Sequence, residues 1–221
     1  MNGNLALDGR GVANIELSKI DTADLLSNMV GYRDDSSGQH MKRTAEITHA
    51  LVDCLSENSY YKTQLTILRC ELIVAAAKIH DIGKIAIPDS ILLKRNELTA
   101  KEQETMRTHC QVGADMLDSI VSQLDPIAYE CFYEVCLYHH EWWNGGGYPF
   151  GISGRDIPLS ARIVAVADVY DALVSERSYK KPFDRAKALT IISKEAGRQF
   201  DPDIIAVLFK TPLDLDISEV L

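Results

Sequence analysis

The sequence predicts an all-α protein, a helical bundle gathered around a buried polar cluster. Three observations predict it. No segment of useful length alternates apolar and polar residues with the period of two that a half-buried strand requires. Residues 67–79, ILRCELIVAAAKI, are apolar most of the way around a helix, the pattern of a central, buried element. Helix-start chemistry also recurs along the chain. Thr99-Ala100-Lys101-Glu102 is a capping box, Pro126 and Pro158 sit at first-turn positions, and Asp184 and Asp201-Pro202 open two more helices.

Taken in order, residues 1–14 are rich in Gly and Asn and read as loose, and a helical pattern covers Ile15 to about Tyr32. It breaks at Gly31 and the polar run Arg33 to Gly38, after which a second helix extends to about Leu55. The central helix follows and ends at His80-Asp81-Ile82-Gly83-Lys84. Further helices are expected near 88–95, as one long element from Thr99 to about Ile120, from Pro126 through His140, from Pro158 to about Glu176, from Asp184 through Ala196, and from Pro202 to Phe209. Between the third and fourth of these lies a glycine-rich loop, Asn144-Gly145-Gly146-Gly147-Tyr148-Pro149. The expected organisation is an N-terminal segment, 1–32, suited to a linker or dimerisation helix, a catalytic domain over 33–210, and a tail over 211–221.

Composition excludes several classes. The chain has 221 residues, 46% hydrophobic and 25% charged, enough for one large globular core. No apolar run reaches membrane-spanning length, and no signal peptide is visible, so the cytoplasm is the expected compartment and membrane insertion is not expected. A net charge of −9 argues against coating duplex nucleic acid, so an anionic ligand would need a local cationic focus. The five cysteines form no CxxC pair and read as reduced core or surface thiols.

The six histidines carry the functional signal. His40 shares a helical stripe with Thr44, Ile47 and Leu51. His49, nine residues on, faces the opposite way among polar neighbours and reads as solvated. His109 aligns with Met106, Val112, Gly113 and Met116, and His139 follows Phe132 and Val135 on an inward face, with His140 one step round. Asp168 lies on an apolar face with Ala161, Val164 and Ala165, where an unpaired carboxylate is expensive, and Asp171 stands one turn later. A salt bridge to Arg162 or Arg177 is the plain alternative for Asp168. Together His40, His80, Asp81, His109, His139, His140 and Asp168 supply nitrogen and oxygen ligands and no thiolate. That is more than one ion uses, but enough for two octahedral ions sharing a carboxylate and a hydroxide. Such donors suit two divalent transition-metal ions, iron or manganese, better than a structural zinc.

From Arg33 to about Phe209 the chain resembles the HD-GYP domains, metal-dependent phosphodiesterases of the HD superfamily that act on cyclic di-GMP. The resemblance rests on His80-Asp81-Ile82-Gly83-Lys84-Ile85, Pro88-Asp89-Ser90-Ile91-Leu92, His139-His140-Glu141, Gly145-Gly146-Gly147-Tyr148-Pro149 and the run Ala161 to Leu173. Arg177-Ser178-Tyr179-Lys180 and Phe200-Asp201-Pro202 complete it. It implies that the seven residues above are the metal ligands, that Lys84 meets a substrate phosphate, and that Tyr148, Asp171, Arg177 and Lys180 help hold the dinucleotide. Two positions depart from the family pattern. Ser36 stands where members with a third ion carry Glu, which favours a two-metal centre, and Asn144 replaces the Asp usual before the loop glycines.

The expected chemistry is hydrolysis of cyclic di-GMP to pGpG or GMP by a metal-bridging hydroxide, with Asp81 spanning the ions and Lys84 neutralising the phosphate. A cyclic di-GMP receptor with little turnover, and a hydrolase of another cyclic dinucleotide such as cyclic GMP-AMP, are the alternatives; a di-iron oxygenase is more distant. A sensor or receiver domain in a longer parent chain, and a homodimer, are the partners the resemblance suggests.

Overall fold

The computed structural model describes residue 23 and residues 35–175 and 181–213. Among these every regular element is a helix. They are α1 (Asp35–Ser56), α2 (Ile67–Ala77), a 3-10 turn (Ile82–Ala86), α3 (Asp89–Leu92), α4 (Ala100–Arg107), α5 (His109–Ser119), α6 (Pro126–Tyr138), α7 (Leu159–Val174), α8 (Arg185–Ser193) and α9 (Pro202–Leu208), with two further 3-10 turns at Val121–Gln123 and Gly154–Asp156. One isolated bridge, Ala196 to Phe200, is not part of a sheet. The expected helix over 15–32 lies outside the described residues except for Ala23, which is helical and buried in the core.

The helices begin where side-chain chemistry can satisfy their free N–H groups. Thr66 accepts from the Arg69 amide at α2, and Thr99 and Glu102 form the reciprocal capping box at α4. Asp125 accepts from the amides of Ile127 and Ala128 with Pro126 in the first turn of α6, and Asp201 caps α9 next to Pro202.

Helix α1 lies against α2 and α7, α2 against α6, and α6 against α5 and α7, while α8 and α9 cover α7. Met41, Ile47, Leu51 and Leu55 from α1, Ile73 and Ala76 from α2, Val135 from α6, and Ile163 and Val166 from α7 are all fully buried. Burying each of these side chains larger than alanine stabilises the fold by roughly 1.5–3 kcal/mol before chain entropy is counted.

Two expectations about the helices are corrected. Helix α2 is buried only in its second half, because its first turns project past the edge of the core; Ile67 is 83% exposed. The long helix from Thr99 is two helices. At Thr108 the amide reaches back only three residues, to Thr105, and the hydroxyl bonds to the same carbonyl. The resulting tighter turn sets His109 at the start of α5.

Gly83 fixes the most important approach. A Cβ there would lie 2.0 Å from the His109 carbonyl oxygen and 2.6 Å from the Gly113 nitrogen, both backbone atoms. Only glycine lets the turn after Asp81 rest directly on α5, which is how a residue of the first half meets one of the second.

Candidate metal centre

His80 and Asp81 lie in the turn after α2 rather than on the helix itself, with Asp81 near the bridge region at φ −99° and ψ 13°. Both are buried. His80 Nδ1 donates to the Ala77 carbonyl at 2.7 Å, His109 Nδ1 to the Met106 carbonyl at 2.7 Å, and His139 Nδ1 to the Val135 carbonyl at 2.8 Å. Those partners assign the proton to Nδ1 in each ring and leave the Nε2 lone pair facing inward. A backbone carbonyl behind each imidazole is the arrangement that orients metal-ligating histidines.

The inward lone pairs converge on one carboxylate. Asp81 Oδ2 is 3.4 Å from His80 Nε2, and Oδ1 is 3.2 Å from His109 Nε2 and 3.9 Å from His139 Nε2. His80 Nε2 and Asp81 Oδ1 are buried without a hydrogen-bond partner. Acceptors facing one another in a dry interior are unfavourable unless a cation lies between them. The residues therefore fit divalent metal. Their atoms form two groups, His40, His80 and Asp81 on one side and His109, Cys110, His139 and His140 on the other, each within 4.8 Å of one another.

His40 is placed by α1 and α7 together. Its Nε2 is 2.9 Å from Asp168 Oδ1, so Asp168 pairs with His40, while Arg162 pairs with Asp201. Burial alone would lower the His40 pKa, but Asp168 and Asp171 overcome it and raise it to about 9. Burial would raise Asp81, yet the Lys84 ammonium beside it holds it well below the usual carboxylate range. Burial lowers His109 and His139, and pushes His140 down to about 3. At neutral pH these three rings keep their lone pairs. His49 is the exception among the histidines, with its side chain 65% exposed beside Asp53.

Asp171, expected to hold substrate, is placed differently. Both its oxygens are occupied inside the protein, Oδ2 by His40 Nδ1 at 2.5 Å and Arg43 Nη2 at 3.1 Å, Oδ1 by Arg43 Nε at 2.6 Å and the Ser175 hydroxyl at 2.8 Å. It stands behind His40 and is 1% exposed. Lys84 Nζ lies 2.5 Å from Asp81 Oδ2 at the rim of the centre. Arg177 and Lys180 lie outside the described residues. Ser36 occupies the first turn of α1.

The glycine-rich loop folds back over the centre. The Tyr148 amide donates to the His140 carbonyl at 3.1 Å, and the Tyr148 ring packs on the His140 ring with centroids 4.8 Å apart. Arg107 lies over the Tyr148 ring at 5.0 Å. Asn144 accepts from the Gly146 amide at 2.9 Å, so the loop's first turn is closed by the amide side chain. Trp142 and Trp143 pack under Arg198 and Arg162.

Four participants were missed in the sequence. Arg43 lies one turn after His40, and a buried Asp171 demanded such a cation. Glu141 is buried, its Oε1 accepting from the Phe150 and Gly151 amides at 2.7 and 3.1 Å; a carboxylate directly after two ligands was the available signal. Arg107 carried none. Cys110, read with the other cysteines as a reduced core or surface thiol, has its sulfur 3.5 Å from His109 Nε2. Burial pushes that thiol's pKa up.

A helical bundle that turns imidazole lone pairs and carboxylates onto one buried point has the donor set of a metal centre. The chain belongs to the HD domain family, whose model matches residues 24–204. It is 42% identical over 181 residues to a cyclic di-GMP phosphodiesterase of Vibrio cholerae, covering 81% of this chain and 37% of that one. It is 34% identical over 215 residues to the cyclic di-GMP phosphodiesterase response regulator RpfG of Xanthomonas campestris, covering 96% and 54%. A 3′3′-cGAMP-specific phosphodiesterase of V. cholerae is 36% identical over 185 residues, covering 84% and 33%. The chain thus spans about a third to a half of the length of these relatives. Among solved structures, Bd1817, an HD-GYP-type protein from Bdellovibrio bacteriovorus, shares the fold at 18% identity with a TM-score of 0.58, covering 88% of this chain and 62% of that one. No helix among the described residues is long and apolar enough to cross a membrane.

Proposed function

We propose that the chain is a metal-dependent phosphodiesterase that opens cyclic di-GMP, giving pGpG and, after a second cleavage, GMP. The observation that carries this reading is the Asp81 carboxylate held between the inward lone pairs of His80 and His109. The relatives named cyclic di-GMP phosphodiesterases support the substrate.

His40, His80 and Asp168 would hold one ion and His109, His139 and His140 the other, with Asp81 between them. Two such ions supply an activated water at neutral pH and neutralise charge on the phosphoryl oxygens. The chain's own groups do the rest. Backbone carbonyls hold the imidazole tautomers, and Asp171 with Arg43 holds His40. Lys84 brings a positive charge to the rim for the phosphate, and Tyr148 closes one side of the centre, where a guanine could stack. In the reaction one P–O3′ bond breaks. Water gives its oxygen to phosphorus and a proton to the leaving 3′ oxygen. Arg177 and Lys180 complete the substrate-holding set of this reading, and iron or manganese fits the nitrogen and oxygen donors. The dinucleotide is the partner this site needs; a response regulator among the relatives supports a receiver domain as regulator.

The test is incubation of the metal-loaded chain with cyclic di-GMP and chromatography of the products. Formation of pGpG, abolished in Asp81→Asn, is the expected result; tight binding without product would establish a receptor instead. The second substrate to try is 3′3′-cyclic GMP-AMP, for which one relative is named specific. A side-by-side comparison of kcat/KM for the two dinucleotides decides between them.

A further inference from the structure

We infer that Cys110 is a ligand of the second metal pocket, which makes that pocket a mixed nitrogen–sulfur site while the first stays nitrogen–oxygen. This rests on the two-metal reading above and concerns which ions the pockets prefer.

The separations fit a shared ion. Cys110 Sγ is 3.5 Å from His109 Nε2, and His109 Nε2 is 3.4 Å from His139 Nε2. Ligands at tetrahedral angles on one zinc-sized ion stand about 3.3 Å apart for two imidazoles and about 3.6 Å for an imidazole and a thiolate. The sulfur and one nitrogen each from His109, His139 and His140 all lie within 4.8 Å of one another. A second, independent feature points to the same place. Asp81 Oδ1 is buried with no hydrogen-bond partner and faces His109 Nε2 at 3.2 Å. The thiol itself is fully buried. It reaches the pocket because Thr108 tightens the chain ahead of α5 and so sets adjacent residues, His109 and Cys110, in its first turn.

The rival arrangement is a core thiol donating a weak S–H hydrogen bond to the His109 lone pair. The two differ in proton count. As a ligand, Cys110 forms one S–metal bond and releases its thiol proton to solvent, whereas a hydrogen-bonded thiol keeps it. They differ also in selectivity. A thiolate favours zinc or ferrous iron in this pocket over manganese, which prefers oxygen-rich surroundings.

X-ray absorption on the zinc-loaded full chain tests this without any substitution. A sulfur scatterer at about 2.3 Å is expected beside the nitrogen and oxygen shell. A shell of nitrogen and oxygen alone overturns the proposal. The cobalt-substituted chain should also show a thiolate-to-cobalt charge-transfer band in the near ultraviolet. The band should vanish in Cys110→Ala and Cys110→Ser and persist in Cys131→Ala, whose thiol lies in the core; survival of the band in the Cys110 variants overturns the proposal. Neither readout uses turnover. A sulfur shell in a chain that cleaves no dinucleotide would defeat the functional reading alone, and active enzyme without sulfur ligation would defeat this inference alone.

Discussion

Asp171 holds His40 from behind, its Oδ2 2.5 Å from Nδ1, while the opposite ring nitrogen faces Asp168 at 2.9 Å. The imidazole is clamped between two carboxylates from one helix, and Arg43 balances the inner one through two hydrogen bonds. Orientation of this kind sets ligand basicity as well as direction.

Asp171→Asn should weaken metal binding by roughly 10–100-fold, the range seen when the groups behind a ligand are altered. Chelator competition on the purified variant measures it. Unchanged affinity together with a raised KM would return Asp171 to the substrate-holding set.

Gly83→Ala should be among the most damaging single substitutions in the chain. The added methyl meets the backbone of α5 at His109 and Gly113, neither of which can swing aside. A loss of at least about 3 kcal/mol in urea unfolding is expected, at the upper end of what overpacking costs. A variant as stable as the parent would mean the turn does not rest on α5.

Glu141→Ala should loosen the glycine-rich loop. It leaves the amides of Phe150 and Gly151 without their buried acceptor, a cost of about 1–3 kcal/mol. Hydrogen exchange at those two amides should accelerate, and Tyr148 should lose its fixed place on His140. Protection equal to the parent's would show that the loop is held by other contacts.

The metal-stripped chain should lose stability as pH falls below neutrality. His140 titrates near its ordinary 6.5 when unfolded but at about 3 when folded, and His109 and His139 are lowered as well, all chiefly by burial. Between those values the unfolded chain binds more protons, so acid favours unfolding throughout that window. His40 works in the opposite sense. Raised to about 9, it contributes fully below 6.5, and that contribution is lost as pH rises through 9. Thermal unfolding across pH 4–10 should therefore give a maximum near neutrality. Added metal should make the acid side steeper, because protons compete for the same lone pairs. A profile flat from pH 7 down to 4 would contradict the burial of neutral rings.

Much of this was legible in the chain itself. Helical periodicity, caps at Thr99, Asp184 and Asp201, and the inward stripes holding His40, His109, His139 and Asp168 are local properties, carried by residues within a turn or two of each other. So was the exclusion of His49, which local periodicity alone sends to the surface. Local pattern failed where an outcome depends on a distant neighbour. The exposed start of α2 follows from where the core ends. The break at Thr108 is a different case, a hydroxyl three residues from the Thr105 carbonyl bonding to it, which no apolar periodicity registers.

What the sequence by itself determined is the helical fold and the inventory of donors, because burial of apolar faces and the expense of unpaired polar groups are written in residue type and spacing. Only the tertiary structure decided how those donors are shared. It set Asp171 behind His40, seated Glu141 under the loop, and drew Cys110 up to His109. The physical reason is that a carboxylate or thiol takes its role from whichever group packing brings within about 3 Å. For Asp171 and His40 that group is 131 positions away along the chain.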